Sequence, residues 1–129
     1  MPVYRTFVDF LRPNGENLIR RWLDGLPEAA KEAINADLTN LQGVKVLSRP
    51  TTAVLKGELD GLIEVRTKCE RTSYRLLGCH VPGRRVIALL VGGTKRGRAT
   101  YNPPSLGKTA QQRRKLILDG GPTCEHDWG

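Results

Sequence analysis

The sequence predicts an α+β fold, with helices laid on a largely antiparallel sheet of about four strands. Three observations carry this. Residues 16–41 repeat apolar side chains at helical spacing in two blocks. Residues 62–91 hold three stretches of strand-forming residues separated by short turns. Long strands joined by tight turns, with helices grouped before and after them, build a layer of helices on a sheet rather than an alternating parallel fold.

Taken in order, Val3 to Leu11 (VYRTFVDFL) is rich in strand formers and ends at the turn Pro13-Asn14-Gly15. Glu16 to Leu26 reads as a helix with Leu18, Ile19, Trp22, Leu23 and Leu26 on one face. Pro27 suits the first turn of the next helix, Glu28 to Leu41, and Gly43 stops it. Its stripe of Ala29, Ala30, Ala33, Ile34, Leu38 and Leu41 allows close approach to a sheet. Residues 44–61 are irregular, with Pro50, Gly57 and Gly61. In Leu62 to Cys69, Ile63, Val65, Thr67 and Cys69 point one way, and Leu62, Glu64, Arg66 and Lys68 the other. Tyr74 to Val81 and Arg84 to Val91 follow, and Gly92-Gly93 ends the pattern. Ser105 opens a last helix to Leu118. The helical hairpin is expected on one face of the sheet, with the other left open and charged. Residues 1–119 are expected to form a single domain, and residues 120–129 a flexible tail.

The chain has 129 residues, 39% of them hydrophobic and 5% aromatic, enough for one aliphatic core. No apolar run approaches the ~20 residues of a membrane helix. The start, Met1-Pro2-Val3-Tyr4-Arg5, is not a signal peptide, so a soluble cytoplasmic protein with no membrane partner is expected. Cys69, Cys79 and Cys124 make a poor disulfide framework. Neither Cys79-His80 nor Cys124-x-His126 has the paired spacing of a zinc site, so no metal or cofactor is expected.

Charge is the strongest functional signal. Residues 1–61 hold 8 basic and 8 acidic residues, while residues 62–129 hold 13 and 5, so the whole net charge of +8 lies downstream. A one-sided basic field favours a polyanion, first of all nucleic acid. Pairing Val81 with Val86 across Pro82-Gly83 puts Arg75 opposite Gly92. Arg66, Lys68, Arg75, Lys95 and Arg96 then converge, with Tyr101 close by. Such a cluster suits RNA cleavage by the neighbouring 2′-hydroxyl. That reaction needs a proton acceptor, a cation for the phosphorane and an acid for the leaving oxygen. Arginine forks supply the second, and a lysine or tyrosine with its pKa lowered by crowded cations the others. Plainer readings stand beside these. Arg66 is equally an ion-pair partner for Glu64 or Asp60, Arg75 a solvated arginine, Tyr101 a packing residue and residues 95–98 a basic loop. The parity of His80 sets it with Tyr74 and Leu76 rather than with Arg75.

Gly61-Leu62-Ile63-Glu64-Val65-Arg66, then Ser73-Tyr74-Arg75-Leu76-Leu77, then an apolar strand followed by Lys95-Arg96, resembles the RelE/HigB family of toxins, including its phage-derived branch. The resemblance covers roughly residues 55–118. It implies a RelE-like α+β toxin, an endoribonuclease that cuts mRNA on the ribosome and is held inactive by an antitoxin of helix-turn-helix type. It implies catalytic roles for Arg75, in a Tyr-Arg motif, for the basic pair Lys95-Arg96, and for Tyr101. The family's lysines are absent where Leu62 and Glu64 stand, which leaves Lys68 or Lys56 to substitute. Arg66, Arg71, Arg98 and Lys56 are expected to bind flanking RNA, as is the basic last helix. Two other readings remain open: a ParE-like poison of DNA gyrase, and a nucleic-acid-binding module without chemistry.

Overall fold

The structure, a computed structural model, describes residues 2–97 and 100–128. Among them the elements run β1 (Thr6–Phe10), α1 (Leu18–Asp24), α2 (Glu28–Gln42), β2 (Thr52–Val54), a 3-10 turn (Gly57–Leu59), β3 (Ile63–Cys69), β4 (Thr72–His80), β5 (Val86–Arg96), β6 (Thr100–Asn102), α3 (Leu106–Leu118) and β7 (Thr123–Glu125). The α+β expectation holds, but the described residues form a seven-stranded sheet rather than one of about four. Its order is β2-β3-β4-β5-β1-β7, with β6 added to β5. β1 runs parallel to β5, and the other described pairs are antiparallel. The unexpected strands β2, β6 and β7 are three residues each, too short to display an alternation.

The helical hairpin forms where its apolar spacing places it. The Asn17 side chain accepts the Arg20 N–H at 2.9 Å and opens α1. Ile19 and Leu23 of α1 and Ala30, Ile34, Leu38 and Leu41 of α2 are buried against Ile63, Val65, Tyr74, Leu76, Ile87 and Leu89. The opposite face, expected from sequence to be open, is covered along part of its length. Leu106, Ala110 and Ile117 of α3 cover Leu62, Leu77, Cys79, Ala88 and Leu90 there. A second apolar core lies under α3, and the charged residues begin where that cover ends.

β5 is longer than its apolar run. It was expected to stop at Gly92-Gly93 but continues to Arg96. A Cβ at Gly92 would sit 2.3 Å from the Trp22 ring, and one at Gly93 would sit 2.7 Å from the Asn102 carbonyl oxygen. These glycines do not break the strand. They let α1 and β6 approach it closely.

The register also departs from the simple count. Val81 does bond to Val86, and His80 pairs with Ile87 as that count requires. Between Leu77 and Gly78 the pairing jumps, so Gly78 faces Leu89 while Leu77 faces Val91. Leu90 is the extra residue of a β-bulge. Gly78 permits it, because a Cβ there would lie 2.8 Å from the Ala88 carbonyl oxygen. The Leu90 carbonyl, left without a partner on β4, accepts Arg113 Nη1 at 2.7 Å. Downstream of the bulge Arg75 therefore faces Gly93, not Gly92.

The expected mobile tail is docked. β7 pairs with β1, and His126 is buried. Its ring lies 2.7 Å from Asp9 Oδ1 and 2.9 Å from Asn35 Oδ1, and the Asn17 amide donates to Asp9 Oδ2 at 2.9 Å. An unpaired Asp9 in this core would be costly, and the tail supplies its partner.

Candidate functional site

The site grows from one buried acid. Glu64 points to the α3 side of β3 but lies beyond the cover of α3, and it is 0% exposed. A carboxylate without solvent must be bonded. Arg66 Nε donates to Glu64 Oε1 at 2.6 Å, and the Tyr101 hydroxyl donates to Glu64 Oε2. Arg75 pairs with Arg66 across the β3–β4 ladder, and its Nε lies 3.6 Å from Glu64 Oε1. Arg75 Nη1 donates to the Tyr74 carbonyl at 3.1 Å, but its buried Nε has no hydrogen-bond partner. Lys95 pairs with Tyr101 across β5 and β6, and its Nζ lies 5.4 Å from the centre of the Tyr101 ring. Four strands thus bring three cations and a tyrosine round one carboxylate.

The electrostatics set the proton positions. Burial alone would raise the Glu64 pKa. The hydrogen bonds from Tyr101 and Arg66 and the charges of Arg66 and Lys95 outweigh it, so the group is held below the usual carboxylate range and stays ionised. Burial, the hydrogen bond to Glu64 and its charge push Tyr101 above its ordinary range, although Arg75 and Arg66 oppose this. The expectation that crowded cations would lower the Tyr101 pKa is therefore reversed. Burial, together with the anion next to the hydroxyl, outweighs the cations, and Tyr101 is protonated at neutral pH.

Of the five cations expected to converge, Arg66, Arg75 and Lys95 do so. Lys68 is exposed on the same hairpin, opposite Ser73. A cleft of about 280 Å³ opens there, walled by Thr51, Arg66, Lys68, Ser73 and Arg75. Arg96 is exposed at the end of β5, and its parity sets it across the sheet from Lys95. This corrects its place in the cluster, and the physical reason is the bulge, which brings Lys95 to the Arg75 side. Arg71 is exposed at the tip of the β3–β4 hairpin. Lys56 is exposed beside the 3-10 turn, past the end of β2 that pairs with Ile63 and away from Arg66. Arg98 lies outside the described residues. Within α3, Arg113 is committed to Leu90 and Gln111 to the Glu58 and Asp60 carbonyls, while Lys108 and Lys115 remain exposed.

The residue that sequence reasoning undervalued is Glu64. It stood only as a possible ion-pair partner of Arg66, and as a departure from the lysine expected at its position. Its signal was there: one acid on the strand face that carries Arg66 and Lys68 needs cations round it if it is buried. Chemically, three cations round one anion leave a net positive site, suited to a phosphate group.

Residues 21–115, more than half of the chain, match the family model described as Phage derived protein Gp49-like (DUF891). No curated protein matches the chain.

Proposed function

This chain belongs to the Gp49-like family of phage-derived proteins, within the RelE toxin-like superfamily, and we propose that it is the toxin of a toxin–antitoxin pair: an endoribonuclease that cleaves mRNA on the ribosome by 2′-hydroxyl attack. The observation that carries this reading is the Glu64-centred cluster, where Arg66, Arg75 and Lys95 from three adjacent strands converge on one buried carboxylate and leave a net positive charge.

The chemistry follows from those groups. Arg75 and Arg66 hold the scissile phosphate and offset the charge that develops on it. Lys95 adds a third positive charge beside Tyr101. The Tyr101 hydroxyl, kept protonated by burial and by Glu64, turns its single O–H from Glu64 to the leaving oxygen and passes it that proton. Lys68, exposed at the mouth of the cleft, is the candidate to receive the 2′-hydroxyl proton, which it accepts only as the neutral amine. An antitoxin, encoded alongside, would silence the toxin by covering this face.

Expression of the wild-type chain without an antitoxin should arrest growth, and Arg75→Ala should relieve the arrest while circular dichroism stays unchanged. Arrest by a folded Arg75→Ala protein equal to that by wild type would remove the cluster from the function.

One observation favours a second reading. The ionised carboxylate of Glu64 and the raised pKa of Tyr101 leave neither as an efficient base. A ParE-like poison of DNA gyrase needs none. It predicts a DNA-damage response and intact mRNA in arrested cells.

A further inference from the structure

A second cationic cleft lies at the other end of β5. It encloses about 400 Å³ and is walled by Tyr4, Arg5, Lys45, His80, Arg84 and Arg85, with no carboxylate in its lining. Its frame is fixed by the backbone. The Tyr4 N–H donates to Gln42 O at 2.8 Å, and the Thr6 N–H donates to Arg85 O at 3.0 Å. The Arg5 guanidinium donates to the Leu41 carbonyl, to Val44 O at 2.6 Å and to Lys45 O at 3.0 Å. Arg5 is therefore spent on holding the loop after α2 against the start of β1.

Lys45, His80, Arg84 and Arg85 are spent on nothing. All four are exposed, and among the described residues none makes an ion pair. Exposed arginines commonly find a carboxylate, as Arg12, Arg20 and Arg21 do here. Three uncompensated cations converging on a concave wall repel one another, and a polyanion relieves that repulsion. Tyr4 is half-buried and His80 exposed, so each offers a ring beside the cations, the combination on which nucleotides stack while their phosphates are held.

We propose that this cleft is a second binding site for the sugar–phosphate backbone of RNA, engaging a segment other than the one at the Glu64 cluster. The separation requires a different segment. On β4, Arg75 of the cluster and His80 of the cleft stand five residues apart, about 17 Å at roughly 3.3 Å per residue, and their parity sets them on opposite faces of the sheet. His80 has the parity of Tyr74 and Leu76, on the α1–α2 face, whereas the cluster lies on the α3 face. A single short strand does not reach both. A folded RNA, with backbone presented on two sides, does. The choice of RNA among polyanions rests on the proposed function above. The positive cleft itself does not.

The test is equilibrium binding of a labelled RNA hairpin with single-stranded flanks, over a salt series. It is made in an Arg75→Ala background so that nothing is cut. Adding Arg84→Ala and Arg85→Ala should weaken binding about tenfold at physiological salt and reduce the slope of log affinity on log salt by about 1.5. Arg84→Lys with Arg85→Lys should restore most of both. Unchanged affinity and slope would overturn the proposal, as would loss of binding to polyglutamate with RNA binding intact, which would assign the cleft to an acidic protein segment. Both arginines are exposed and unpaired, so their removal should not unfold the chain, and an unchanged melting curve checks this. Cleavage by the wild-type protein is scored separately, on an mRNA in a translating extract. A binding loss without any cleavage would sink the nuclease reading and leave the second site standing.

Discussion

Glu64 is the residue on which the site turns, and its removal separates several roles. Glu64→Gln keeps the size of the side chain but takes away the charge that Arg66, Arg75 and Lys95 share. Charge-assisted hydrogen bonds contribute about 2 kcal/mol each, so denaturant unfolding at neutral pH should show a loss of about that size or more. The pH dependence follows from the directions of the shifts. The folded Glu64 pKa lies below its value of 4.5 in the unfolded chain, so its stabilisation is present above that pH and is lost as the pH falls through the folded value. Tyr101 is shifted upward, so its stabilisation is complete below pH 10 and is lost as the pH rises through the folded value. Melting temperature against pH should therefore drop on both flanks, and Glu64→Gln should blunt both. An ultraviolet titration gives an independent check. In wild type one of the three tyrosines should ionise later than an ordinary phenol, and in Glu64→Gln it should ionise earlier than it does in wild type. A wild-type titration with no delayed tyrosine would contradict the Tyr101–Glu64 bond.

At the scale of elements, the sequence was legible where a pattern repeats and opaque where one residue changes it. The stripes of α1 and α2 and the alternation of β3 each repeat several times, and each appears where the spacing puts it. The three-residue strands have nothing to repeat. The bulge at Leu90 rests on Gly78, a glycine inside a strand, which is a usable sign of a bulge but does not say on which strand the extra residue falls. That ambiguity moved the expected site. Counting without the bulge sets Arg96 with Arg75, whereas counting with it sets Lys95 there. Gly92 was read as a stop for a similar reason, since sequence does not reveal that Trp22 lies above it. Gly92→Ala should cost about 2 kcal/mol through the clash with the Trp22 ring, and Trp22→Ala in the same chain should recover part of that loss in a double-mutant cycle. Additive losses would mean that the two residues do not meet. The tail was misjudged because its anchor is a long-range set of polar contacts rather than an apolar run. His126→Ala leaves Asp9 buried without its ring partner, and should release β7 at a cost of about 2 kcal/mol or more. Hydrogen exchange should then show lost protection at Asp9 and Leu11, whose backbone amides face β7 and the residue before it, and unchanged exchange would place the hold on the tail elsewhere.

For the whole molecule, charge and fold divide the work. α1 and α2 close one face of the sheet, and α3 closes most of the other. The uncovered end carries the Glu64 cluster, while the far end of β5 carries a second set of unpaired cations. The neutral first half of the sequence is mainly scaffold, though it lends Lys45 to the second cleft, and the basic second half supplies the cluster. That division was visible in the distribution of charge alone. What charge could not show is that one acid organises three of the cations and leaves a donor of Arg75 without a partner.

The central claim is that this cluster cleaves mRNA during translation. The most direct measurement is primer extension on a reporter mRNA, incubated with the purified protein in a translating extract and, in parallel, as naked RNA. The account predicts new ends in the translating sample only, and none with Arg75→Ala. No new ends in either sample with the wild-type protein would contradict it.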